Sequence, residues 1–256
     1  MLLMNNYLDL LREFFVTDFK LRYKHSYLGL LWVVIKPLAY YAVLFTIWTS
    51  LFGNTVNFAS YLMVGILVIT YFSEGVQYGL QCLQNKRHII LKVNFSREIV
   101  IFSTIAIATV NYLINFTIYG IFRTVTHEHI FGTNWGYFVL GLVLLTELLL
   151  GIAFFISVVS IRLTDIKHLV ELLLQLIFWA TPIFYKIERL PSNIAHYLTL
   201  FNPLVLILDI MRAGLFNDHA PPSVSSILII AMNISIFTIL GYFYFKKSLP
   251  KLAEYF

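Results

Sequence analysis

Long apolar runs decide what this chain can become. The stretches from about Gly29 to Phe52, Ala59 to Leu83, Ile99 to Phe122, Trp135 to Ile161 and Val224 to Phe245 carry almost no charge. Each exceeds the roughly 20 residues with which a helix crosses a bilayer. Inside hydrocarbon a helix satisfies its own backbone polar groups, which open strands and loops do not. One further run, Leu169 to Tyr185, the fifth in chain order, is about 17 residues long, the lower limit for a span. Composition agrees, with 59% hydrophobic and 12% charged residues and a mean hydropathy of +0.81. Soluble domains carry about 25% charged residues. The expected fold class is an all-α polytopic membrane protein forming one domain over residues 1–256. An N-terminal interfacial helix (1–28) precedes a six-span core (29–245), and a tail (246–256) follows it.

The segments between the runs set the topology. From about Asn6 to Lys24, Leu8, Leu11, Phe15 and Phe19 recur at helical spacing, opposite Asp9, Arg12, Glu13, Thr17 and Lys20. Such a helix lies in the membrane interface. With Asp9 and Glu13 where a basic leader would stand, the N-terminus does not read as a cleavable signal peptide. Pro37 lacks an amide donor and kinks the first span, and Lys36 snorkels to the headgroups. GNTVNF (53–58) is a short uncharged turn. The connection Asn85–Glu98 is basic, with Ile89, Ile90 and Val93 expected on one face of a short helix. After the fifth run, two Pro-punctuated pieces, Ile194–Phe201 and Pro203–Phe216, are each too short to cross. They read as an interfacial or re-entrant hairpin. With both termini inside, about 14 of the 18 Lys and Arg fall on the inner side and about 4 on the outer side. That asymmetry accounts for the net charge of +5 without a nucleic-acid partner.

Catalytic patterns are missing from the sequence. Glu74, Glu147, Glu171 and Asp209 are scattered over different segments, and no HExxH or GxSxG spacing occurs. The seven His residues form no cluster within an apolar run, so no metal site is expected. Cys82 stands alone, which excludes an intrachain disulfide and a cysteine metal cluster. No GxxxxGK[ST] loop is present, so an ATP-driven process needs a second protein to bring the ATPase. Ion coupling would call for partnered intramembrane carboxylates and, often, an inverted repeat. The carboxylates are few and no repeat is evident.

Aromatic content is high, with Phe 23, Tyr 16 and Trp 4. Much of it fits an ordinary interface belt. Yet Tyr40, Tyr41, Phe45, Trp48 and Phe52 crowd the first run, Tyr71, Phe72 and Tyr78 the second, and Phe178, Trp179 and Tyr185 the fifth. A channel lined by these rings would offer stacking faces and hydroxyls to sugars.

Several stretches together resemble one family. DFKLRYKHSYLGLLW (18–32) with Lys36-Pro37, KVNFSRE (92–98), RLTD (162–165), TPIFY (181–185) and FNP (201–203) with Met211-Arg212 match, in order, the transmembrane permeases of type-2 ABC polysaccharide exporters. The O-antigen permeases are the nearest, with capsule and teichoic-acid permeases beside them. Thr17, Ser96 and Thr164 depart from the usual pattern. The resemblance implies a homodimer in the bacterial inner membrane, both termini cytoplasmic, joined by two copies of a cytosolic ATP-binding subunit. The chain itself would bind no cofactor; ATP and Mg would enter through that subunit. The cargo would be a polyprenyl-linked polysaccharide. ATPase coupling is expected at Asp18, Asn85, Lys86, Arg87, Arg97 and Glu98. A lipid-pyrophosphate entrance is expected at Lys20, Arg22 and Lys24, and an exit-side role at Arg189 and Arg212. Two further readings stay open: the same fold exporting a lipid or drug, and a membrane-embedded enzyme acting on polyprenyl lipids.

Overall fold

One helix, Phe58–Asn85, is the post around which the others stand. Every residue from Leu62 to Ile69 is buried, the mark of a helix enclosed on all sides. The computed structural model describes residues 2–24, 27–52, 58–93, 95–127, 129–163 and 165–251. Residues 53–57 of the expected turn, the tail from 252 on, and His25, Ser26, Asn94 and Thr164 of the motifs lie outside them.

In chain order the helices are α1 (Leu2–Lys24), α2 (Leu31–Phe52), α3 (Phe58–Asn85), α4 (Arg87–Lys92), α5 (Glu98–Val125), α6 (Gly136–Arg162), α7 (Ile166–Ala180), α8 (Ser192–Phe201), α9 (Pro203–Leu215) and α10 (Val224–Ser248). Single 3-10 turns cover Ile187–Arg189 and Leu249–Lys251, and no strand occurs among the described residues. Five helices, α2, α3, α5, α6 and α10, are long and apolar enough to cross a membrane. α3 packs on α5 and α6, and α6 packs on α9 and α10. Small residues allow the close approach. A Cβ on Gly79 would lie 2.8 Å from that of Ala153, and one on Gly75 would lie 2.7 Å from the methyls of Leu149. This pair of glycines one turn apart is the small-residue seam by which membrane helices pack.

The fifth crossing in chain order differs from the expected 17-residue helix. α7 has 15 residues, about 22 Å, and does not bridge a core of about 30 Å alone. A crossing is nonetheless required. Ser235 donates to Glu147 Oε1 at 2.8 Å, and Thr238 donates to the Glu147 carbonyl at 3.0 Å. A Cβ on Gly241 would meet the Gly151 carbonyl. Contacts that advance together in this way make α6 and α10 parallel, so the chain between them returns across the membrane. α7 carries most of that path, and Thr181–Tyr185 completes it without a helix. Phe184 stacks on Trp48 at 4.8 Å, about 26 Å along α2 from its start. Val170 and Leu174 face inward, while Leu169, Leu172, Leu173 and Leu176 face out.

α8 and α9 meet at 93°. α9 lies against the first turns of α6, where Gly141 faces Met211 and Gly214 faces Phe138. The pair therefore forms the expected re-entrant hairpin. α1 packs along α5. Its inward stripe is Tyr7, Leu10, Leu11 and Phe14, which shares only Leu11 with the expected row; Leu8 is 60% exposed. In α4, Ile90 turns inward, whereas Ile89 and Val93, four residues apart, share the outer side. The expected three-residue face is thus split.

Overpacking a close helix seam typically costs about 1–3 kcal/mol. Gly79→Leu is expected to lower the thermal midpoint of the detergent-solubilised protein. Gly136→Ala, where a Cβ meets nothing within 4 Å, is expected to leave it unchanged. Fluorescence-detected melting reads both.

Candidate functional site

The non-helical end of the fifth crossing is built around one arginine. Pro182 removes a backbone donor and stops α7. Thr181 Oγ1 donates to the Ile177 carbonyl at 2.7 Å. The carbonyls beyond still need partners, because hydrocarbon supplies none. Arg212 on α9 supplies them: Nη1 donates to the Pro182 carbonyl at 2.8 Å, and Nη2 donates to those of Ile183 at 3.0 Å and Tyr61 at 3.2 Å. Its guanidinium lies 3.3 Å from the centroid of the Tyr61 ring, and the residue is 2% exposed. Gly65 makes the space, since a Cβ there would sit 3.1 Å from Arg212 Nη2. Asn202 works beside it. Its Oδ1 caps α9 by accepting from the Leu204 N–H at 3.1 Å. Its amide donates to Thr181 Oγ1 at 2.9 Å and to the Ala180 carbonyl at 3.3 Å. The TPIFY and FNP…R stretches, remote in sequence, are therefore one structural unit. Arg212, expected to face an exit, is turned inward; Arg189 is exposed in the 3-10 turn.

The opposite end of α3 gathers the expected coupling residues in two clamps. Lys86 pairs with Asp18 and lies 5.1 Å from the Phe14 ring centroid, which ties α1 to the start of α4. Lys246 Nζ is 2.5 Å from Glu98 Oε1, Tyr242 donates to the same oxygen at 3.2 Å, and Arg97 donates to the Leu249 carbonyl at 2.8 Å. These bonds tie the start of α5 to the end of α10. Asn85 and Arg87 are exposed, as are His88, Ile89, Leu91, Lys92 and Val93. α4 thus presents apolar and basic side chains outward while its flanks are fastened.

Lys20 and Lys24 border an open groove of 590 Å³ that Phe19, Leu21 and Leu30 also line. Arg22 sits 3.5 Å from the Tyr78 ring centroid. Beside it, Tyr23 donates to Asn111 Oδ1 at 3.0 Å, and the Asn111 amide donates to Glu74 at 3.1 Å and to the Tyr78 hydroxyl at 3.3 Å. Burial holds the Tyr23 hydroxyl above the usual phenol range, so it is a neutral donor here. Lys36 lies within electrostatic reach of Glu74.

The aromatic residues separate into three groups. Tyr71 and Phe72 are buried inside one chain, and the Tyr71 hydroxyl meets those of Thr109 at 2.8 Å and Thr146 at 2.9 Å. Expected at a channel wall, both belong to the core instead, enclosed because α3 is covered on every side. Tyr41 and Phe45 stack on each other along α2, and Tyr40 is 61% exposed. The Phe52 side chain lies outside the described residues. Phe184 joins Trp48, Phe178, Trp179 and Tyr185 into a ring cluster at the end of the fifth crossing. Asn111, which was not singled out, and Asn202, which stood in the quoted FNP motif without a role, organise two of these sites. Their sequence signal was one of two amides, Asn111 and Asn115, inside an apolar run, and an amide preceding a proline.

This arrangement of apolar spans, a fastened connecting helix and a bent helix pair is that of a multi-pass helical membrane protein. The chain matches the ABC-2 type transporter family over residues 10–216 and belongs to it. It is 26% identical to the O-antigen export system permease protein RfbA of Myxococcus xanthus, over 88% of this chain and 86% of that protein. A Klebsiella pneumoniae protein of the same name is 25% identical over 96% and 94%. The polysialic acid transport protein KpsM of Escherichia coli is 23% identical over 82% and 83%.

Hydrogen bonds to a charged group contribute about 1.5–3 kcal/mol each. Arg212→Ala is expected to abolish most of the folded, monodisperse protein. Arg212→Lys, which keeps the charge but loses the planar fork, is expected to retain part of it. Size-exclusion profiles and thermal midpoints decide the matter, and a wild-type profile for Arg212→Ala would show that the fifth crossing does not depend on it.

Proposed function

We propose that this chain is the membrane-spanning permease of an ATP-driven exporter that carries a polyprenyl-linked polysaccharide, an O-antigen, across the bacterial inner membrane. Two copies form the conduit, and two copies of a cytosolic ATP-binding subunit, which hold ATP and Mg, drive it. Membership of the ABC-2 family and the names of the relatives support the class. The relative that transports polysialic acid keeps capsule glycan as the second reading.

The observation that carries the coupling part is α4. Ile89, Leu91 and Val93 are 39%, 48% and 56% exposed on a helix with basic residues at both ends. Such a surface suits a soluble partner, with apolar anchors inside and charges at the rim. A push on α4 passes to α1 through Asp18–Lys86. It reaches α10 through Glu98–Lys246, which joins the helix that follows. Both termini then lie on the ATPase side, in line with the Lys and Arg asymmetry. The groove beside Lys20 and Lys24 is placed to receive an anionic lipid headgroup from the same side.

The test co-expresses the chain with a cytosolic ABC ATP-binding subunit from the same organism. Ile89→Ser, Leu91→Ser and Val93→Ser combined are expected to abolish copurification and to remove surface polysaccharide. The thermal midpoint of the isolated permease is expected to stay unchanged, because these side chains are outside the core. Intact ATPase binding and surface glycan in that variant would rule out α4 as the docking helix.

A further inference from the structure

A pocket of 220 Å³ opens at the elbow between α8 and α9. It lies at the Tyr61 end of α3, about 36 Å along that helix from α4. Tyr61, Lys186, Glu188, Asp209, Arg212 and His219 supply its polar wall, with Thr199 contributed by α8. The walls thus come from α3, the 3-10 turn, both arms of the hairpin and the connection to α10.

The charges in this wall select the ligand. Lys186 and Arg212 are balanced by Glu188 and Asp209. A phosphate or pyrophosphate favours cations without competing carboxylates, so this pocket disfavours the anionic headgroup. Among the described residues no three His, Cys, Asp or Glu groups converge to hold a metal. The polar wall is likewise wrong for a greasy molecule. A neutral polyhydroxyl compound fits, since carboxylates accept from hydroxyls and Lys and Arg donate to them. The volume is below the roughly 300–1,000 Å³ of drug-sized pockets and suits a single ring.

The wall also contains unused hydrogen-bonding capacity. Arg212 Nε lacks a hydrogen-bond partner among the described residues but is fully buried behind the pocket surface, so the exposed Lys186 ammonium and Glu188 carboxylate are the groups a ligand can reach. His219 Nε2 lies 2.5 Å from Asp209 Oδ1, which orients that carboxylate while the Asp209 side chain stays 40% exposed. We infer that this pocket is a subsite for one neutral pyranose unit of the glycan, held by Asp209 and Glu188 against the Arg212 wall. The inference rests on the glycan-export reading and extends it to the end of the molecule opposite α4. A bound ring bridges the 3-10 turn to α9, so cargo occupancy steadies the re-entrant hairpin.

Saturation-transfer NMR on the full-length chain in detergent tests this, with glucose, galactose, mannose, rhamnose and N-acetylglucosamine as probes and inorganic pyrophosphate as the anionic contrast. At least one sugar is expected to bind, and pyrophosphate is expected not to displace it. Glu188→Gln and Asp209→Asn are each expected to weaken binding by about tenfold with unchanged thermal midpoints. Glu188 is exposed and makes no hydrogen bond or ion pair among the described residues, so its variant separates binding from folding. Absence of binding by every sugar, or binding that neither substitution weakens, overturns the subsite. Deleting the chain in cells tests the export reading separately. Surface glycan lost on deletion, with no sugar bound in vitro, overturns the pocket alone. Surface glycan retained on deletion overturns the export reading itself.

Discussion

The guanidinium of Arg212 against the carbonyls of Pro182 and Ile183 is the interaction on which the rest of the molecule depends. A bilayer tolerates irregular backbone only where protein satisfies it. Here the fifth crossing stops being a helix after 15 residues, and its remainder is accepted because one buried cation and one buried amide supply the missing donors. The cost of burying that cation is offset by three carbonyls and the face of Tyr61. The same contacts fix α9 against the start of α3. The two halves of the chain are joined at that point.

A rigid post with differently built ends follows. At one end α3 is fastened to the broken crossing and the re-entrant hairpin. At the other, ion pairs bind α1 to the start of α4 and α5 to α10, and leave the outer surface of α4 available. In the proposed coupling, a force applied at α4 would reach α1 through the Asp18–Lys86 pair and α10 through the cluster of Glu98, Lys246, Tyr242 and Arg97. The Arg212 unit, by contrast, is buried and multiply bonded. Motion is thus expected to concentrate in α1 and α4, while α3, α5, α6 and α10 hold their packing.

The apolar runs were legible in the sequence because hydrophobicity is a local property. The spans, the N-terminal helix and the bent helix pair follow from it, and their order matched the family motifs. Face and partner were less legible. The stripe of α1 shifted from Leu8 to Tyr7 because α5 covers a narrow strip that periodicity alone does not locate. Tyr71 looked like a channel residue and is a core hydrogen-bonding group, since only the packing reveals that α3 is enclosed. Arg212 stood in a recognisable motif, yet its role depends on carbonyls about 30 residues earlier, whose need for donors arises from the break at Pro182. Such long-range satisfaction of backbone groups leaves no pattern in a single sequence.

The central claim is that α7 and the segment Thr181–Tyr185 together make one complete crossing. Single cysteines at His168 and Arg189, introduced in a chain whose buried Cys82 is replaced, would report the two ends of that path. A membrane-impermeant thiol reagent applied to intact cells is predicted to label the Arg189→Cys chain at once. The His168→Cys chain is predicted to label only after the membrane is opened. Labelling of both positions from the same side would contradict the crossing, and with it the place assigned to Arg212.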